Sequence, residues 1–159
     1  MVWAAISGLG KLKLKFISKR MDGREYQQVL TESLVPFIRR FQRLQLEFQQ
    51  DNAGVHRSTR RRPRDPTFVP MMTWFQQQGI NVLPWPSRSP DLNPIENVWG
   101  ILVRDVYADN RQYQTVEELK TAIMGAWNRL PQETVNRLVE SMRDRIFEVI
   151  QRSGKVTHY

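Results

Sequence analysis

Between residues 11 and 16 the chain reads Lys-Leu-Lys-Leu-Lys-Phe, and from residue 22 its apolar positions fall at helical spacing instead. A period of two belongs to an extended strand and a period near 3.6 to a helix, so the first forty residues already call for both element types. Residues 2–7 and 11–18 read as two strands joined by a turn at Gly8 and Gly10. Lys11, Lys13 and Lys15 then share a wet face, while Leu12, Leu14 and Phe16 share a packed one. The basic row suits a phosphate backbone, or a sheet edge kept from aggregating by its charge.

Over 22–40 the positions Tyr26, Val29, Leu30, Leu34, Phe37 and Ile38 predict a helix with Asp22 as its N-cap, kinked or split at Pro36. A strand over 44–49 follows and stops just short of Asp51. Residues 57–70 hold Arg57, Arg60, Arg61, Arg62 and Arg64 with Pro63, Pro66 and Pro70, which predicts a surface loop outside any core. Then come a short helix over 71–78 closed by Gly79 and a short strand over 80–83. A third helix should run from Pro94 to Tyr107 behind Asn93. Thr115 and Glu118 form a capping box for a fourth, reaching Leu130. Pro131 opens a fifth, whose stripe Val135, Leu138, Val139, Met142, Ile146 and Val149 predicts one packing face up to Gly154. The order implies an α/β chain with a mixed sheet flanked by helices and a helical C-terminal part. A length of 159 residues fits a single domain over 1–159, with the Arg/Pro loop as an insertion.

Composition narrows the partners. With 24 Lys and Arg against 16 Asp and Glu, the net charge of +8 favours a polyanion such as nucleic acid. There is no cysteine, so disulfides, thiolate zinc sites and cysteine nucleophiles are excluded, and any metal must sit on carboxylate, imidazole or backbone. Residues 2–9 are apolar but lack a preceding basic flank and run into lysines, so they do not read as a signal peptide. No apolar run has the length of a membrane span, and no membrane partner is expected.

Two acids draw attention by position. Asp51 follows directly after a predicted strand, where reactive groups of open α/β sheets gather, although an Asp-Asn pair there is also a common turn device. Glu96 lies at the third position of a predicted helix, where it serves equally well as a capping-box partner favoured by the helix dipole. His56 could bind phosphate or simply start a helix, and Trp85 and Trp99 could stack on bases or pack in a core.

The neighbours of these acids add a further indication. Phe48-Gln49-Gln50-Asp51-Asn52, together with the run Trp85-Pro86-Ser87-Arg88-Ser89-Pro90-Asp91-Leu92-Asn93-Pro94-Ile95-Glu96-Asn97-Val98-Trp99, closely resembles the paired signatures of the Tc1/mariner transposases. Met1-Val2-Trp3 is similar to that family's second strand, and His56 and Ser58 fall where it has a His and a small hydroxyl residue. The resemblance implies an RNase H-like fold in which three acids bind two Mg2+ or Mn2+ ions, with Asp51 the second acid and Glu96 the third. It also implies a DNA substrate cut and joined in transposition, a nuclear location and a possible homodimer. Lys11, Lys13 and Lys15 and the five arginines of the loop become candidate DNA contacts.

The chain departs from the family at three points. No residue aligns with the leading Asp, which the family carries on a first central strand, so that strand is expected to be missing and activity to be impaired. Since 96 − 51 = 45, the two acids are separated by 44 residues, more than the family's usual gap, with the excess in the Arg/Pro loop; loop length is cheap in closure entropy, so the acids can keep their places. The family's helix-turn-helix region is also expected to be absent, which would leave salt-sensitive, sequence-independent affinity. The alternative is a non-catalytic basic module that binds nucleic acid or another partner.

Overall fold

Asp22 opens the long predicted helix: its carboxylate accepts the backbone N–H groups of Arg24 and Glu25 at 2.9 and 3.0 Å, and α1 spans Gly23–Arg40. The computed structural model describes residues 1–17, 21–51, 67–86 and 89–159. These residues divide into two compact units, one made of Met1 with residues 17–88, the other of residues 2–16 with 89–159.

In the first unit α1 buries Tyr26, Val29, Leu30, Leu34 and Val35. It runs unbroken through Pro36, where the sequence predicts a kink or a split. Proline forfeits one ladder hydrogen bond, and here the buried residues just before it keep the helix packed across the gap. Strand β5 is shorter than predicted, Glu47–Phe48 only, because Leu44 turns back to donate its N–H to the Phe41 carbonyl at 2.8 Å and is left exposed. Helix α2 spans Met71–Gln77, and Gly79 ends it at φ +65°. The Gly79 and Ile80 N–H groups return to the carbonyls of Gln76 and Phe75, a Schellman closure that needs the left-handed residue. Strand β6, Asn81–Val82, then pairs in parallel with β5, Glu47 opposite Asn81 and Phe48 opposite Val82.

The predicted surface loop is corrected at its end. Phe68 is buried, and its ring lies so close to Gly23 that a Cβ there would stand 2.6 Å from Cζ. Burying the one aromatic of that stretch outweighs the polar character of its neighbours. Residues 57–66 lie outside the described part of the chain.

The second unit begins with the predicted hairpin, broken into short pairs: β1 (Val2–Trp3) against β4 (Lys15–Phe16), and β2 (Ile6–Ser7) against β3 (Gly10–Lys11). Val2 faces Phe16, but Ile6 faces Lys11, so two residues, Ala4 and Ala5, are opposed by three, residues 12–14. This is a β-bulge, and it moves the register by one residue. The single wet lysine face predicted from alternation is therefore broken: Lys11 turns to the side of Ile6, toward the helices.

Against that side pack α3 (Pro94–Val106), α4 (Val116–Arg129) and α5 (Gln132–Glu140). Leu14, Val98, Leu102, Val106, Ala126, Trp127, Leu130 and Val135 form the core, joined at its edge by Val2, Ile6 and Phe16. Trp99 stacks on Trp127 with ring centroids 6.2 Å apart, so the packing reading of this tryptophan is the one the structure gives. The capping box of α4 is present, with Glu118 N–H on Thr115 Oγ at 3.1 Å and Gln114 N–H on the Glu118 carboxylate at 2.9 Å.

The predicted fifth helix is two. α5 stops at Glu140 and α6 spans Met142–Gln151. At the joint the Ser141 hydroxyl donates to the Leu138 carbonyl at 2.7 Å, a backbone bond of the kind that bends helices. The residue that α6 buries is Arg145, while Ile146 of the predicted stripe is 48% exposed. Among the described residues no helix is long and apolar enough to cross a membrane.

Candidate active site

Asp51 lies just past the carboxyl end of β5, exposed, in the first unit. The segment before it is tied to α1: the buried Tyr26 hydroxyl donates to Gln50 Oε1 at 2.7 Å. The strand end that presents Asp51 is thus fixed by a core residue, a link with no sequence signal beyond Tyr26 belonging to the apolar stripe.

Glu96 lies in the second unit, exposed, in the first turn of α3. The predicted capping box is not formed. Asn93 stands at the cap position without a side-chain bond, and the Glu96 carboxylate makes no hydrogen bond or ion pair with any described residue. Its backbone N–H reaches the Asn93 carbonyl at 3.0 Å, and Pro94 occupies the first helical position, where no donor is needed. The acid is therefore exposed at the positive end of a helix, favoured by the helix dipole and without a side-chain partner among the described residues.

The turn before α3, Pro90–Leu92, is a single 3-10 turn, and what holds it was not visible in the sequence. Arg145, only 1% exposed, donates from Nη1 to the Asp91 carbonyl at 2.7 Å and from Nε to Ser141 Oγ at 3.0 Å. The Asp91 carboxylate accepts the Thr157 N–H at 2.8 Å, and the Tyr159 ring covers the guanidinium at 4.6 Å. Burial pushes the Arg145 pKa down from its ordinary value, opposed by Tyr159 and Asp91. The available signal was one arginine at the i+3 position from Met142 and the i−4 position from Val149, inside an otherwise apolar stripe.

The candidate nucleic-acid contacts fare differently. Lys11 donates from Nζ to the Trp127 carbonyl at 2.6 Å and to the Leu130 carbonyl, with its ammonium 5.6 Å from the Trp127 ring centre. It closes the C-terminal end of α4, and burial lowers its pKa. Lys13 is exposed and Lys15 half-buried. Arg57, Arg60, Arg61, Arg62 and Arg64 lie outside the described residues, as do Asn52, His56 and Ser58.

The family model for the DDE superfamily endonuclease matches residues 2–120, a span that includes both acids. The chain belongs to this DDE endonuclease family. The transposable element Tc3 transposase of Caenorhabditis elegans is 44% identical over 159 residues, all of this chain and 45% of that protein. The Tcb1 transposase of Caenorhabditis briggsae is 34% identical over 162 residues, again all of this chain and 54% of that protein. This DDE-family chain thus spans about half the length of the transposases it matches. Its fold matches the Mos1 transposase catalytic domain, solved with raltegravir and manganese, at a TM-score of 0.78 over 99% of this chain and 76% of that one, with 19% identity. The Mos1 mariner paired-end complex with manganese matches equally well, TM-score 0.78 at 18% identity, over 99% of this chain and 44% of that one. These likenesses bear out the Tc1/mariner resemblance and the RNase H-like fold.

For a metal, the donor chemistry fits. Asp51 and Glu96 offer exposed carboxylate oxygens, the hard ligands that Mg2+ and Mn2+ prefer, and exposure leaves room for water on the ion. Among the described residues no three acidic or imidazole side chains gather into a complete site.

Proposed function

We propose that this chain is the catalytic portion of a DNA transposase, in which Asp51 and Glu96 hold divalent metal at the scissile phosphate. One observation carries the reading: within a long family-matching string, Glu96 is an exposed carboxylate with no structural partner among the described residues. An exposed polar side chain that no other side chain engages is available to a ligand. Asp51 fits the same reading, since the Tyr26–Gln50 bond steadies the strand end that presents it.

When bound, Mg2+ or Mn2+ would supply a more acidic attacking water and neutralise the leaving oxygen. The contribution of the protein is to hold carboxylate oxygens in place, Asp51 from a strand end and Glu96 from a helix start. The chain's +8 charge supports attraction to the DNA backbone. A nuclear location and pairing with a second copy go with the same role.

The test is metal-dependent nicking of duplex DNA by the purified chain beside Glu96→Gln and Asp51→Asn. Loss of nicking in both variants is the expected result. Equal cleavage by all three proteins would sink the assignment and leave DNA binding as the property to explain.

A further inference from the structure

An arginine removed from water costs several kcal/mol unless its charge and donors are met. Arg145 is the largest side chain buried below 2% exposure among the described residues, and its pairing is incomplete, for Nη2 has no hydrogen-bond partner among them. At a buried charged position an apolar residue of similar volume is often neutral or stabilising. Of the two hydrogen bonds that the Arg145 side chain makes among the described residues, one holds the turn before α3 and the other anchors the guanidinium. Nη1 holds the Asp91 carbonyl, while Nε is fixed by Ser141 at the joint between α5 and α6. Asp91 is held a second time through its carboxylate by the Thr157 N–H, and Tyr159 closes over the guanidinium.

What this assembly secures is the 3-10 turn at Pro90–Leu92, which runs directly into Asn93, Pro94 and the first turn of α3. α3 has no side-chain cap to fix its entry. Buried Pro94 and Val98 seat the helix, and the lead into its first turn is set by the turn before it, which Arg145 pins. Glu96 lies in this first turn, five residues from Asp91, since 96 − 91 = 5.

We infer that Arg145, with Asp91 and the 157–159 segment, is a positioning device for Glu96: it aims the carboxylate by fixing the turn that leads into α3. The inference rests on the reading of Glu96 as a metal ligand. Groups that orient a ligand without touching the metal commonly change its affinity by ten- to a hundredfold when removed, so Arg145 belongs to the function although it is buried and meets only the turn before α3.

The test uses Mn2+ alone and the whole 159-residue chain, with the free-ion electron paramagnetic resonance signal reporting binding and a thermal melt confirming that each variant is folded. Four proteins form a cycle: the parent, Glu96→Gln, Arg145→Met and the double variant. Arg145→Met should weaken Mn2+ binding on the order of tenfold, and the double variant should bind no more weakly than Glu96→Gln alone, because the effect travels through Glu96. A purely structural role would give no loss in the folded single variant, or losses that multiply in the double, and either result overturns the inference. If Glu96→Gln itself binds Mn2+ like the parent, the metal reading of Glu96 fails, and this inference falls with it. Should Arg145→Met not fold, Arg145→Lys replaces it in the same cycle, since lysine keeps the charge but cannot span Asp91 and Ser141 together.

Discussion

Replacing Lys11 by methionine separates two roles that the sequence leaves superimposed. Methionine keeps most of the apolar stem and removes the ammonium, so the carbonyls of Trp127 and Leu130 lose their shared donor in a partly buried setting. A hydrogen bond to a charged group contributes roughly 1.5–3 kcal/mol, and two are lost, but the cost of desolvating the ammonium is also lifted. A net destabilisation of about 2 kcal/mol follows, which lowers the melting temperature by roughly 4–8 °C in a protein of this size. The assay is a thermal melt near neutral pH paired with DNA binding at several salt concentrations. Because Lys11 is engaged with the end of α4, the slope of log affinity against log salt should not change, whereas a lysine on a phosphate would take about 0.9 from it. An unchanged melt with a reduced slope would refute the structural role. The pH dependence provides a second check. Burial lowers the Lys11 pKa below 10.5, so in the window beneath that value the unfolded chain holds more protons than the folded one. Stability contributed by this group therefore rises with pH through that alkaline window, and Lys11→Met should abolish the rise.

Other substitutions test the remaining supports. Gly23→Ala places a Cβ 2.6 Å from the Phe68 ring and should lower the denaturant midpoint of the first unit, at a cost of about 1–3 kcal/mol. Thr115→Ala removes the N-cap of α4 and should cost about 1 kcal/mol in chemical denaturation, with little change in the slope. For Glu148, desolvation acts upward but is outweighed by the His158 N–H and by Arg152, so its pKa lies below the ordinary 4.5. Its contribution is present above that value and lost as pH falls through the folded-state value, so the hydrogen-exchange protection factor of the His158 amide should fall in acid, and Glu148→Gln should remove that dependence.

The sequence disclosed those parts of the fold that are decided locally. Asp22, Thr115 and Gly79 act within four residues of themselves, and each ends or begins a helix where it was expected to. Strand lengths and register depend on distant partners, so the break at Leu44 and the bulge opposite Ala4 and Ala5 left no local mark. The stripe from Val135 to Val149 keeps a perfect period across the bend at Ser141, because one serine hydroxyl tilts the axis without changing the spacing. For the site, the identities of Asp51 and Glu96 came from the strings around them. The failure of the Asn93–Glu96 cap, and the arginine that holds the turn in its place, belong to side-chain geometry that no pattern of residue types records.

The second unit is assembled from two pieces of chain with residues 17–88 between them, and this has a consequence for the order of events during synthesis. The hairpin is made first, but the Leu12 carbonyl meets the Trp127 indole, and the Ser7 carbonyl the Gln132 amide, only across 115 and 125 residues. At roughly 5–20 residues per second on the ribosome, an early strand pair waits on the order of ten seconds for the helices that cover it. Through that interval its apolar face is open to wrong partners. Lys13, held outward at the bulge, is the charge placed to discourage them.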